Sequence, residues 1–203
     1  MKILGIAGSP RHNGNTDLLL AELLKGAVSK GAEVKTISLR SLKITPCQHC
    51  DACLKEGKCR IQDDMQAIYD ELEEADVIVL ASPVQFSGPP AAVKAMIDRC
   101  QCLWARKYVL KIAPLSGERK RKGFLISVGA RNMKGMFEPT LGIVKTWFHV
   151  LEIEYAGDLL LSKIDEKGAV LKQSDALQKA YAAGQKLAEE IVENNVLHLE
   201  KKE

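Results

Sequence analysis

The sequence predicts an α/β fold in which one doubly wound, five-stranded parallel sheet of order 2-1-3-4-5 lies between two helical layers. Three observations carry that prediction. Segments of strand character alternate with segments of helical periodicity along the chain, and this rhythm implies β-α-β units with right-handed crossovers. The run Asp76 to Ala81 (DVIVLA) is apolar at nearly every residue, as a central parallel strand covered on both faces requires. Polar, glycine-containing loops follow the first and third strands, at the carboxyl edge where an open sheet of this kind collects ligands.

Lys2 to Ala7 reads as a buried strand, and GSPRHNGNT leads from it into a helix marked by Leu18, Leu19, Leu20, Leu23 and Leu24. Glu33 to Leu39 alternates as a second strand, followed by an irregular cysteine-containing insert at about 45–61. The carboxylates of Asp63 and Asp64 offer cap chemistry to a helix through Glu74. After the third strand, SPVQFSGPP ends in a Pro89-Pro90 pair suited to the start of a helix over Ala91–Trp104. Gly123–Val128 is a fourth strand, Gly135–Val150 a helix, Ile153–Gly157 a short fifth strand and Ser174–Asn194 a long helix, with a frayed HLEKKE end. Five strands in this rhythm suit the flavodoxin-like three-layer α/β/α arrangement. No repeat or linker divides residues 1–203, so one domain is expected.

Composition narrows the function. With 46% hydrophobic and 27% charged residues the chain is globular, and no apolar run is long enough for a membrane span. Its 29 Lys and Arg against 26 Asp and Glu give a net charge of +3, too small to imply a nucleic-acid partner. The cationic stretch of Arg106, Lys107, Lys111, Arg119, Lys120, Arg121 and Lys122 reads as a solvated loop. MKILGIAGSPR lacks the apolar core of a signal peptide, and six cysteines with four clustered do not form a secreted disulfide framework; a reducing cytoplasm is expected.

Two loops and one cysteine array carry the chemistry. Ser9, Arg11, Asn15, Thr16 and the backbone near Gly14 collect hydroxyl, guanidinium, amide and N–H donors at a helix N-terminus, a set that suits a phosphate. The loop matches neither G-x-G-x-x-G nor the P-loop pattern. Pro83, Val84, Phe86 and Pro89 offer an apolar wall, and Gln85, Ser87 and Gly88 small or polar contacts, that could hold a planar ring, although by itself the loop reads as an apolar turn. Cys47, Cys50, Cys53 and Cys59 form C-x2-C-x2-C-x5-C, enough thiolates for a 4Fe-4S cluster, with Gly57 permitting the turn that brings Cys59 back. Zinc also takes four cysteines, though its pairs are usually widely separated, and a redox dithiol would leave two thiols unexplained. His49 reads as exposed filler, and Cys100 and Cys102 as core.

GSPRHNGNT, then SPVQFSGPPAAVKAMIDR, resembles the FMN-binding signature of the NADPH-dependent FMN reductase family, and the cysteine array followed by Asp63-Asp64-Met65 resembles its iron–sulfur flavoprotein branch. The resemblance is strong over about Met1 to Arg99. It implies that Ser9, Arg11, Asn13, Asn15 and Thr16 surround the phosphate of FMN, that Pro83, Val84, Gln85 and Phe86 lie along the isoalloxazine, and that Ser127, Gly129 and Ala130 approach from the fourth strand. Gln85 stands where relatives commonly carry Tyr, and VGARNMKGM lacks the glycine-rich run frequent among nicotinamide-using reductases.

The implied activity is that of an FMN-dependent oxidoreductase. Ferredoxin or a similar low-potential donor would load a 4Fe-4S cluster, which passes electrons to FMN and on to an acceptor, in a homodimer or homotetramer. No general acid or base stands out. The alternatives are an NAD(P)H-dependent FMN or quinone reductase without a working cluster, and a non-enzymatic flavodoxin-like carrier or redox sensor.

Overall fold

The computed structural model describes residues 1–117 and 119–200, the side chains of residues 174 and 191–200 excepted. Five strands, β1 (Lys2–Ala7), β2 (Glu33–Ser38), β3 (Val77–Pro83), β4 (Arg121–Val128) and β5 (Ile153–Leu161), form one sheet in the order β2-β1-β3-β4-β5. Every neighbouring pair is parallel. The helices are α1 (Asn15–Val28), α2 (Cys53–Glu56), α3 (Met65–Glu74), α4 (Ala91–Arg99), α5 (Gln101–Ala105), α6 (Glu138–Val150) and α7 (Ser174–Glu200). Positions 201–203 of the HLEKKE end lie outside the described residues.

Side-chain alternation on β3 divides the core. Val77, Val79 and Ala81 face the layer of α1 and α7, while Ile78 and Leu80 face that of α3, α4 and α6. All five are fully buried, which explains the uninterrupted apolar run, since each large aliphatic side chain so covered contributes about 1.5–3 kcal/mol. The α1 and α7 backbones approach closely where neither helix carries a side chain. A Cβ on Gly26 would lie 2.0 Å from the Tyr181 carbonyl oxygen, and one on Gly184 would lie 1.8 Å from that of Leu23.

Several boundaries differ from the sequence reading. β5 runs four residues past Gly157, through an irregularity at Gly123/Phe124 in its pairing with β4. It is an edge strand with a half-exposed burial pattern, so its polar residues, Asp158 among them, do not interrupt it. β4 begins at Arg121, and α6 begins only at Glu138, with Pro139 in its first turn. The helix expected over Ala91–Trp104 breaks at Cys100 into α4 and α5 and continues as a π-helical turn over Arg106–Leu110. Asp64 occupies the N-cap position of α3 but makes no side-chain cap bond, its carboxylate accepting instead from Lys43 N at 2.7 Å; of the two aspartates only Asp63 accepts from the first turn, from Met65 N at 3.1 Å.

The cationic stretch is not simply a solvated loop. Lys111, Arg119 and Lys120 are exposed, but Arg121 is buried and donates to the carbonyls of Ala75, Glu73 and Ser116. Lys122 is buried against Glu190 of α7. Arg106 pairs with Glu73 at 2.9 Å. Arg121 and Arg106, which also donates to Gly57 O and Pro114 O, cover carbonyls of chain segments that would otherwise be left unpaired.

Gly184→Ala places a methyl group against the backbone of α1. Overpacking of this kind costs about 1–3 kcal/mol, and urea unfolding should show at least that loss, whereas Ala183→Gly should cost no more than about 1 kcal/mol.

Candidate functional site

The loops after β1, β3, β4 and β5 enclose a cleft of about 240 Å³ at the carboxyl edge of the sheet. Ser9, Arg11, Asn15, Thr16, Pro83, Val84, Gln85 and Ala130, all expected from the sequence, line it. Ser9 shapes the first loop: its Oγ accepts from Arg11 N at 3.1 Å. Thr16 is buried in the first turn of α1, and its Oγ1 has no hydrogen-bond partner. The N–H groups of that turn also lack intrahelical acceptors. A buried hydroxyl and free N–H groups at a helix N-terminus are donors in search of an anion.

Asn15 has a different task from the expected one. Its Nδ2 donates to Glu166 O at 2.8 Å and its Oδ1 accepts from Val170 N at 3.2 Å, so both ends of the amide fasten the loop between β5 and α7. Arg11 Nη1 likewise donates to Asp165 O at 2.9 Å. That loop brings Ile164, Asp165 and Lys167 to the cleft. Ending β5 at Gly157 hid it, because the following residues then fell away from the carboxyl edge.

Four expected residues do not line the cleft. Asn13 is exposed, with φ 52°. Phe86 is fully exposed at the tip of a tight turn in which Gln85 and Gly88 exchange backbone hydrogen bonds, Phe86 and Ser87 having φ 46° and 64°. Ser127 is buried and donates to Ser82 O at 2.8 Å, tying β4 to β3. Gly129 is closed off by the Met136 side chain, whose Cε would stand 2.4 Å from a Cβ there.

The cysteine segment lies in a second place. Cys47, Cys50, Cys53 and Cys59, all free thiols, line one cavity of about 20 Å³ with Cys102 and Arg99. Among the described residues, no three His, Cys, Asp or Glu side chains form a ready single-ion site. Burial pushes the Cys53 thiol up, with Cys102, Cys47 and Cys59 adding to the effect. Cys102, expected from the sequence to be core, is buried but also borders this cavity. A helix carrying Cys102 past the array could not be read from spacing within the array.

Two arginines hold the segment. Arg99, its side chain wholly buried, donates through Nη1 to Thr45 O at 2.8 Å and Asp63 Oδ2 at 2.7 Å, and through Nη2 to Ile61 O at 3.0 Å. Both ends of the insert therefore meet on one guanidinium. Arg106 Nε donates to Gly57 O at 3.0 Å, with the glycine at φ 67° and its missing Cβ only 2.6 Å from Arg106 Cγ. A side chain at position 57 would be strained in that conformation and would clash.

Residues 1–137 match the family model described as NADPH-dependent FMN reductase. The chain belongs to that family. It falls in the iron–sulfur flavoprotein branch, being 37% identical over 158 residues to an iron–sulfur flavoprotein of Methanocaldococcus jannaschii, a match covering 78% of this chain and 77% of the relative. An iron–sulfur flavoprotein of Archaeoglobus fulgidus is 43% identical over 133 residues, 66% of this chain and 64% of the relative. A solved structure titled flavone reductase superposes with a TM-score of 0.70 at 21% identity, covering 93% of this chain and 62% of that one, a likeness of fold. The chain thus spans just under two thirds of two of these three proteins. The family is one of FMN-dependent oxidoreductases, and the cleft, with its unpartnered Thr16 hydroxyl, fits the phosphate that such a flavin carries.

Burial works against the charge of Asp63, but hydrogen bonds from Arg99, Thr45 N and Met65 N outweigh it and hold the carboxyl at about 2. Since that lies below the unfolded value, the stabilisation is complete above about pH 4 and is lost as the pH falls toward 2. Urea unfolding between these limits should show the decline. Asp63→Asn should flatten it and cost about 3 kcal/mol at neutral pH by leaving Arg99 buried without its counter-charge.

Proposed function

We propose that this protein is an iron–sulfur flavoprotein that takes electrons from ferredoxin or a similar low-potential donor through a 4Fe-4S cluster to FMN, and delivers them to an acceptor. The observation that carries this reading is the cysteine cavity: four free thiols of one short insert face a single space, and the insert is fastened at its base by a buried arginine. FMN exchanges one or two electrons and a cluster one at a time, so together they join one-electron donors to two-electron chemistry.

Each named residue then has a role. The Thr16 hydroxyl and the first-turn N–H groups of α1 would hold the FMN phosphate, with Arg11 and Lys167 offsetting its charge. Pro83, Val84, Gln85 and Ala130 would border the ring. Asn15 acts indirectly by fastening the β5–α7 loop. Cys47, Cys50, Cys53 and Cys59 would each supply one thiolate. The reading also assigns the protein to a reducing cytoplasm and to a homodimer or homotetramer. Among the described residues, no helix is long and apolar enough to cross a membrane.

Anaerobic reconstitution should yield about four irons and four sulfides per chain together with FMN, and reduced ferredoxin should bleach the flavin. Flavin without iron or sulfide, or rapid bleaching by NADPH with no response to ferredoxin, would favour a nicotinamide-dependent reductase. Cys53→Ala should prevent assembly of the four-iron cluster, as read by iron content and visible absorption. Thr16→Val should weaken FMN binding about 10-fold or more, since a hydrogen bond to a charged group contributes about 1.5–3 kcal/mol, while Thr16→Ser should retain most of the affinity in fluorescence titration.

A further inference from the structure

Arg99 leaves one hydrogen-bond donor unused. Its Nη1 and Nη2 bond Thr45 O, Asp63 and Ile61 O, but Nε is buried without a partner. A buried donor on a charged group that lacks an acceptor is costly, and folded chains keep few of them. The same side chain borders the cavity lined by Cys47, Cys50, Cys53, Cys59 and Cys102. Asp63 takes up the charge on the Nη1 side, and Cys59 shares the lining of that cavity with Arg99. Arg60 also borders the cavity, but the segment carrying it is exposed at that position.

We propose that Arg99 is a positioning residue for the cluster's electronic state: its Nε–H donates to sulfur in the cysteine cavity, either the Cys59 thiolate or an inorganic sulfide, and this contact raises the cluster's reduction potential. The inference rests on the cluster reading above. Reduction adds negative charge to the sulfurs, so a donor held in a water-poor place stabilises the reduced form more than the oxidised one. The three carbonyl and carboxylate acceptors fix the plane of the guanidinium, leaving Nε little freedom to turn away. A residue serving only to close the insert would need the Nη contacts alone.

The test uses the full chain, reconstituted anaerobically with iron and sulfide. Potentiometric titration followed by electron paramagnetic resonance should give Arg99→Lys a lower midpoint than the natural chain, by at least a tenfold change in the reduction equilibrium, about 59 mV for one electron. Lysine retains the charge and can still reach Asp63, but has no fixed planar donor. In case the substitution loosens the insert, pulsed resonance on the natural sequence carrying guanidino-15N arginine provides a second reading. A 15N coupling to the reduced cluster that survives Arg60→Lys supports the inference. Absence of that coupling in cluster-loaded protein, or an unchanged midpoint in a cluster-loaded Arg99→Lys variant, overturns it while leaving the cluster reading intact. A natural chain that assembles no cluster overturns both.

Discussion

The buried guanidinium of Arg99 is the contact on which the organisation of the cysteine segment depends. Residues 45 and 61 are sixteen positions apart in sequence, yet both present carbonyls to this one side chain. The intervening loop contains little regular structure beyond the single turn of α2, so it has few backbone bonds of its own to resist opening. Closing such a loop costs conformational entropy, which the charge-assisted bonds to Arg99 and the Asp63 carboxylate offset. The break after α4 contributes as well, because the Arg99 carbonyl is left to accept from Tyr69 Oη at 2.7 Å. Arg106 completes the fastening at Gly57 and reaches Glu73 of α3, so the insert is joined to the sheet's helical layer at two places.

The cleft depends on a similar division of labour. Its donors arise from the start of α1, and α1 is fixed by close backbone contact with α7 at Gly26 and Gly184. The loop before α7 is in turn fastened by Asn15 and Arg11 from the start of α1. Asn15 and Arg11 therefore build the walls of the cleft as well as lining it, while the buried hydroxyl of Thr16 is left without a partner.

Much of this was legible in sequence because it follows from periodicity. The continuous apolar run that burial of both faces of β3 requires is written in DVIVLA, and parallel crossovers then constrain the sheet order. The first loop's donors were equally visible as residue types, but their partners were not: nothing local to Asn15 reveals that Glu166 and Val170 will face it. The end of β5 is hidden in the sequence because an edge strand tolerates Asp158, whereas apolar continuity is the signal that marks a strand. A cationic run is usually solvated, so the sequence points Arg106 and Arg121 to solvent; the carbonyls they cover come from distant segments. Arg99 and Cys102 are illegible as neighbours of the cysteine array for the same reason, since only the packing of α4 and α5 against the insert brings them there.

Held by the contacts of Arg99, Asp63 and Arg106, the cysteine insert should keep its shape before any metal binds. Amide hydrogen exchange of the metal-free chain under reducing conditions tests this directly at Thr45, Leu54 and Gly57, whose N–H groups donate to Asp63, Asp51 O and Cys53 O. Protection at these amides well above that of an unstructured chain is predicted. Exchange at the unstructured rate through the insert, with the sheet still protected, would contradict it.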